Sequence, residues 1–233
     1  MKRLISFMLA LVTLCLGMSG FALAEPLPGA LWYNGDFNGV SGLANENNTI
    51  VSQAAVYDDF IVPSGGWHIG FVWSNNLMST TSSQAYWEIR SGVSTGNGGT
   101  LIASGTNAAT QTPTGRSGFG YTEYTILVGG LNVTLGAGTY WLSVTPIDSG
   151  SGRSFDSTTS GANAVGQPPG NDGNSFFDSS YFSANFQDAS LEVGYSPVDF
   201  SMGVGAVPIP VPPTLVLLGS GLVGLAVRRF RRG

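Results

Sequence analysis

The sequence predicts an all-β fold, an antiparallel β-sandwich of jelly-roll type, set between an N-terminal signal peptide and a C-terminal transmembrane helix. Three observations carry that expectation. Between residues 25 and 206 no stretch of twelve or more residues has its apolar positions at helical spacing. Several stretches instead alternate apolar and polar positions with the period of two that a strand requires. Turn signals rich in Gly, Pro and Asn, at 63–66, 96–99, 129–130, 136–138 and 168–173, separate nearly all of them. About ten short strands divided in this way are the pattern of a sandwich.

Taken along the chain, residues 49–53 and 56–62 are weaker strand candidates, and 66–75 is the first strong one. There Trp67, Ile69, Phe71 and Trp73 fall on one side, and His68, Gly70, Val72 and Ser74 on the other. Residues 84–91 repeat the pattern, with Ala85, Trp87 and Ile89 opposed to Tyr86, Glu88 and Arg90. A weaker strand at 100–103 precedes 121–128 and 131–135, which lead to 138–147, where Tyr140, Leu142 and Val144 oppose Trp141, Ser143 and Thr145. Residues 149–174 read as one long polar loop, and 175–182 and 198–204 close the series.

Charge bounds the function classes. Between residues 25 and 206, Arg90, Arg116 and Arg153 face fourteen carboxylates, a net −11. That sign, with no interior basic cluster, excludes a nucleic-acid surface. The one cysteine, Cys15, lies in an N-terminal apolar run, so a chain cleaved after that run has no thiol for a disulfide, a thiolate metal site or a nucleophile.

The ends read as addresses. Lys2 and Arg3 precede an apolar run over 4–16 and then Ala22-Leu23-Ala24, the order of a secretory signal peptide cut between Ala24 and Glu25. At the other end Val207-Pro208-Ile209-Pro210 begins a proline-rich spacer, followed by an apolar segment at 214–227 and by Arg228, Arg229, Arg231 and Arg232. As a helix that segment reaches about 21 Å, short of a hydrocarbon core of about 30 Å, and the arginines can snorkel to the cytoplasmic headgroups. The signal peptide places the domain outside, so the two topology signals agree.

This tail resembles the PEP-CTERM sorting segment of Gram-negative envelope proteins, a tail type that also goes under the name of ice-binding proteins carrying it. The likeness covers residues 207–232, with Pro208 and Pro210 at the two prolines and Ile209 in place of the usual Glu, a Val-Pro-Ile-Pro variant. It implies recognition by exosortase, a membrane-embedded protease, transient residence in the inner membrane, and association with exopolysaccharide or biofilm matrix. The domain itself is similar to the all-β extracellular domains found ahead of such tails, in the phrases Tyr57-Asp58-Asp59-Phe60 and Gly138-Thr139-Tyr140-Trp141-Leu142.

Candidate chemistry is sparse. His68 is the only histidine, no Gly-x-Ser-x-Gly elbow accompanies it, and the domain has no lysine, so no catalytic residue is assigned and no enzyme is expected. Asp58, Asp59, Glu88 and Glu123 are expected as solvated acids, and neighbours on a strand point to opposite faces, so Asp58 and Asp59 cannot act as one pair. Asp148, Asp156, Asp172 and Asp178, with Asn171 and Asn174, surround the long loop without the spacing of a twelve-residue calcium loop. No cofactor is therefore assigned, with a loop-stabilising calcium as the alternative.

Trp67, Trp73 and Trp87 share faces with aliphatic residues and are expected in the core, whereas Tyr86, and Trp141 or Tyr140, face away from such partners. If the domain binds a glycan, the contact is expected on Tyr86, Glu88 and Arg90, where a ring, a carboxylate and a guanidinium combine. The function expected is that of a secreted, envelope-sorted structural or adhesive protein of an extracellular polysaccharide surface. A carbohydrate-binding module is the alternative, and a secreted glycoside-active enzyme a third reading.

Overall fold

The computed structural model describes residues 26–48, 53–148 and 150–206. The signal-peptide site at Ala24 and Glu25 and the whole tail, from Val207 to Arg232, lie outside these residues, as does most of the strand expected at 49–53. Among the described residues no helix is long and apolar enough to cross a membrane.

The described residues are all-β, in two sheets. Its strands are β1 (Ala30–Tyr33), β2 (Phe37–Ala44), β3 (Glu46–Asn48), β4 (Gln53–Val62), β5 (Trp67–Met78), β6 (Gln84–Ser91), β7 (Thr100–Ala108), β8 (Thr110–Gly118), β9 (Tyr121–Leu135), β10 (Gly138–Asp148), β11 (Ser154–Thr159), β12 (Phe176–Ser179), β13 (Ala184–Asp188), β14 (Asp199–Phe200) and β15 (Met202–Gly205). The first sheet has eight strands: β5 pairs with β9 along one side and with β15 and β11 along the other, and β1, β2, β8 and β14 attach outside these. The second has seven, in the order β13, β12, β4, β3, β10, β6, β7, with β4 also pairing β10 directly. Pairing is antiparallel except for the short contact of β3 with β10.

A single helical turn, α1 (Ala189–Val193), follows β13. Asp188 caps it through a bond from the Ser190 N–H, and Gly194 ends it in the left-handed region at φ 85°.

Ile69, Val72, Ile126 and Val128 from the first sheet meet Val56, Phe60, Ile89, Leu142 and Val144 from the second in one apolar cluster. Each such side chain, fully buried, contributes about 1.5–3 kcal/mol. A polar seam crosses between the sheets beside it. The Asn45 amide, at the link from β2 to β3, donates to Asn76 Oδ1 (3.0 Å) and to the Val144 carbonyl (2.9 Å). It accepts from Thr145 Oγ1 (3.0 Å), while Ser74 Oγ donates to the same carbonyl (2.8 Å).

Two sequence expectations need correction here. The first is the single apolar face of the strand at 66–75. The pairing of β5 with β9 shifts between Ile69 and Phe71, where two residues of β5 span four of β9, from Val133 to Gly129. Gly130, with φ 72°, allows the chain to bulge there. Alternation therefore breaks at Gly70: Ile69 and Val72 enter the main core, and Phe71 and Trp73 pack instead with Tyr33 in a separate cluster. There the rings lie over the glycines opposite them, Trp73 on Gly203 and Phe71 on Gly205.

The second correction concerns the loop expected at 149–174, which contains β11, a buried strand between β5 and β2. Its polarity disguised it. The hydroxyls of Thr158 and Thr159 are used inside the sheet, bonding the Ser41 and Asp36 carbonyls.

Candidate cleft on the seven-stranded sheet

The strongest candidate site begins with the alternation of β6. Ala85, Trp87 and Ile89 are in the main core, so Tyr86, Glu88 and Arg90 point to the opposite face of the second sheet. Beside them on β10 stand Thr145, Ser143 and Trp141, in register with Tyr86, Glu88 and Arg90. Across β10, β4 contributes Tyr57 to the same side, and β12, paired with β4, contributes Asp178 opposite Ala55. The result is a cleft of about 290 Å³ lined by Tyr57, Tyr86, Glu88, Arg90, Thr145 and Asp178, with Glu46, Ser179 and Ser180 also in its lining.

Glu88 is the hub. Its side chain is only 3% exposed, and its two oxygens receive the hydroxyl of Tyr57, the hydroxyl of Tyr86 (3.3 Å) and the Arg90 guanidinium, whose Nε lies 3.0 Å away. The Arg90 contact is an ion pair without a well-aligned N–H. Burial, and then the Glu88 charge, lift the Tyr57 phenol far above its ordinary range, so Tyr57 stays a neutral donor. Burial lifts Tyr86 in the same direction.

For Arg90, burial pulls the pKa down, but the bond and charge of Glu88 outweigh it and the net shift is upward. Arg90 also donates to the Gly98 carbonyl (3.0 Å) and lies 5.3 Å from the ring centre of Phe186 and 6.0 Å from that of Tyr57. It is held on every side.

Asp178 differs from its neighbours. Its one hydrogen bond is a long contact from the Phe186 N–H (3.4 Å), and among the described residues it forms no ion pair. Burial pushes its pKa up.

The expected glycan contacts Tyr86, Glu88 and Arg90 thus share one concave wall, and Tyr86 alone of the expected aromatic candidates joins it. Trp141 is buried against Phe176, with its indole N–H on the Asn174 carbonyl (3.1 Å). Tyr140 stacks on Phe60 in the direction of the core. Sequence reasoning missed Tyr57 and Asp178, which no local pattern marks, and also the aromatic pair after Ser180. Tyr181 is 63% exposed and Phe182 43%, rings set edge to face and next in sequence to Ser180 of the cleft. That signal was present in the run Ser180-Tyr181-Phe182-Ser183, two rings in a polar turn.

The expectation of solvated acids is overturned for Asp58, Asp59, Glu88 and Glu123, all of which are buried. Each has local donors that replace water. Glu123 is reached by the Thr114 hydroxyl (2.7 Å) and by Arg116, and Asp58 by the Asn34 amide (2.8 Å) and the Phe200 N–H (2.6 Å). Burial, with the Asp199 charge next, holds Asp58 well above the carboxylate range. Burial and then Asp172 raise Asp59 to about 7 and Asp199 to about 6.

The four acids expected around a loop calcium disperse. Asp148 turns to the Gly150 N–H (2.9 Å), Asp156 is buried with Glu123 acting on it, Asp172 acts on Asp59 and Asp199, and Asp178 lines the cleft. Among the described residues no group of three or more His, Cys, Asp or Glu side chains is placed to hold a metal. His68, on the other sheet, is exposed and meets Thr134 Oγ1 at 3.2 Å. A second, more apolar cavity of about 200 Å³ lies between Val40, Leu77, Phe119, Tyr121 and Phe155.

The chain matches no family model, no curated protein and no solved structure.

Proposed function

We propose that this chain is a secreted, envelope-sorted adhesive protein whose two sheets form a jelly-roll-like β-sandwich and whose seven-stranded face holds an extracellular polysaccharide. The observation that carries the reading is the cleft in which Tyr86, Glu88 and Arg90 converge with Tyr57 and Asp178. A sugar presents a weakly apolar ring face and a fringe of hydroxyls. The cleft answers with a half-buried phenol ring, the carboxylate of Asp178 as acceptor and phenol oxygens already held in place by Glu88, so little side-chain entropy is lost on binding. Such a shallow site binds one sugar segment weakly. Many copies tethered beside a repeating polymer turn weak contacts into firm adhesion. The tail resembling PEP-CTERM segments supports that placement, with an exosortase-type protease as the processing partner.

The test uses the full chain, purified in detergent, on a glycan array and in affinity electrophoresis through the polysaccharides it captures. Tyr86→Ala is expected to weaken retention by about tenfold, the loss of one stacking ring and its hydroxyl, with little change in melting temperature. Unaltered retention of that variant refutes the site. Release of new reducing ends from the captured polymer would replace adhesion with the glycoside-active reading. For sorting, mass spectrometry of protein recovered from its native envelope should find Glu25 first and Arg232 gone, and an intact tail on released protein would count against processing.

A further inference from the structure

Resting on that reading of the cleft, we infer that its ligand is a polysaccharide with free amino groups, a hexosamine polymer at least partly without N-acetyl groups, and that Asp178 receives the ammonium. The first support is an account of the positive charges. Residues 25–206 contain three arginines and no lysine, and each arginine is already paired with a carboxylate whose side chain is 3% exposed or less: Arg90 with Glu88, Arg116 with Glu123, Arg153 with Glu46. Among the described residues each guanidinium already has its charge answered by a carboxylate of this chain, and the net −11 repels a uronic-acid polymer at a distance.

The second support is Asp178 itself. Glu88 and Glu46, the other acids of the cleft, have their oxygens occupied, Glu46 by Arg153 (2.9 and 3.1 Å) and the Ser154 N–H (2.9 Å). Asp178 stands in the wall with one long backbone contact and, among the described residues, no ion pair; the charge of Arg90 reaches it, but that guanidinium is closed onto Glu88. A carboxylate half removed from water and left unpaired is costly, and an ammonium entering the cleft relieves that cost. A neutral sugar hydroxyl relieves it less, and an N-acetyl group places an amide and a methyl where the charge should be.

Three oligosaccharides of equal length test this on the full chain by titration calorimetry: β-1,4-linked glucosamine, its fully N-acetylated form, and a galacturonate. The amine oligomer should bind about tenfold more tightly than the N-acetylated one at low salt, with the ratio falling as salt screens the contact, and the galacturonate should not bind. Asp178→Asn should bring the ratio to about one. Equal affinity of the wild-type chain for amine and N-acetylated oligomers, a ratio unmoved by salt, or preference for galacturonate overturns the amine class while leaving the cleft a glycan site. Binding of none of the three overturns both.

Discussion

Asp199→Asn should make the protein more stable at neutral and alkaline pH and leave it nearly unchanged in acid. Asp199 is fully buried, and one oxygen accepts the Gly173 N–H at 3.0 Å. Its other oxygen has no hydrogen-bond partner, and the charges of Asp58, Asp59 and Asp172 act on the same region. Burial, then Asp172, raise its pKa from 3.8 to about 6. In the unfolded chain the group loses its proton near pH 4, in the folded chain only near 6, so the native state binds more protons across that interval. The stabilisation is complete below pH 4 and lost as pH rises through 6.

At 1.36 kcal/mol per unit of pKa, the loss from Asp199 comes to about 3 kcal/mol. Asp58, Asp59 and Asp156 are shifted in the same direction, so the wild-type protein should be more stable at pH 4.5 than at pH 8. Asparagine retains an acceptor for Gly173 and replaces the unpartnered oxygen with a donor facing acidic neighbours. Urea unfolding followed by tryptophan fluorescence at both pH values measures the effect, the variant gaining up to about 3 kcal/mol at pH 8. Net charge also varies with pH, but both proteins share that background, and their difference isolates the site. A wild-type chain more stable at pH 8 than at 4.5, or a variant less stable than wild type at pH 8, would refute the reasoning.

Two further substitutions probe the joints between elements. Asn45→Ala strips partners from Asn76, Thr145 and the Val144 carbonyl in the seam between the sheets, and it should cost about 2–4 kcal/mol in urea unfolding, against almost nothing if water enters and replaces the amide. Gly203→Ala places a methyl 2.4 Å from the Trp73 ring and 2.6 Å from the Trp32 carbonyl, an overpacking that should cost about 1–3 kcal/mol or more and alter near-ultraviolet circular dichroism, and a wild-type melting curve would show that β15 can slide away.

What was legible in the chain follows from where side chains find their partners. The alternation of β6 could be read directly because its apolar residues enter a core made of many strands, and that core needs only apolar surface. β11 could not be read that way. It is buried with Thr side chains that bond the carbonyls of Ser41 on β2 and of Asp36 just before it, a match that exists only once the sheet has formed. The bulge opposite Gly70 could not be read because it is a property of the pairing of β5 with β9: the pair Gly129-Gly130 reads as a turn between two strands, whereas it bulges within the single strand β9. Of the cleft, one wall was legible in Tyr86, Glu88 and Arg90. The other, Tyr57 and Asp178, comes from strands distant in sequence, and the burial of Glu88 depends on that second wall.

The few positive charges of so acidic a domain are placed under the same constraint. The fold places each of the three arginines among its described residues against a carboxylate whose side chain is 3% exposed or less, where desolvation makes a single well-placed partner matter most. Arg116 shows the economy of this arrangement, meeting Glu123 from β9 and Asp36 between β1 and β2 with one guanidinium. Cations spent in this way cannot also serve a ligand. The cleft wall is left with hydroxyls, amides, aromatic rings and, at Asp178, a carboxylate without an ion pair among the described residues, so a ligand held as proposed would be selected by its hydroxyl geometry and by its lack of negative charge.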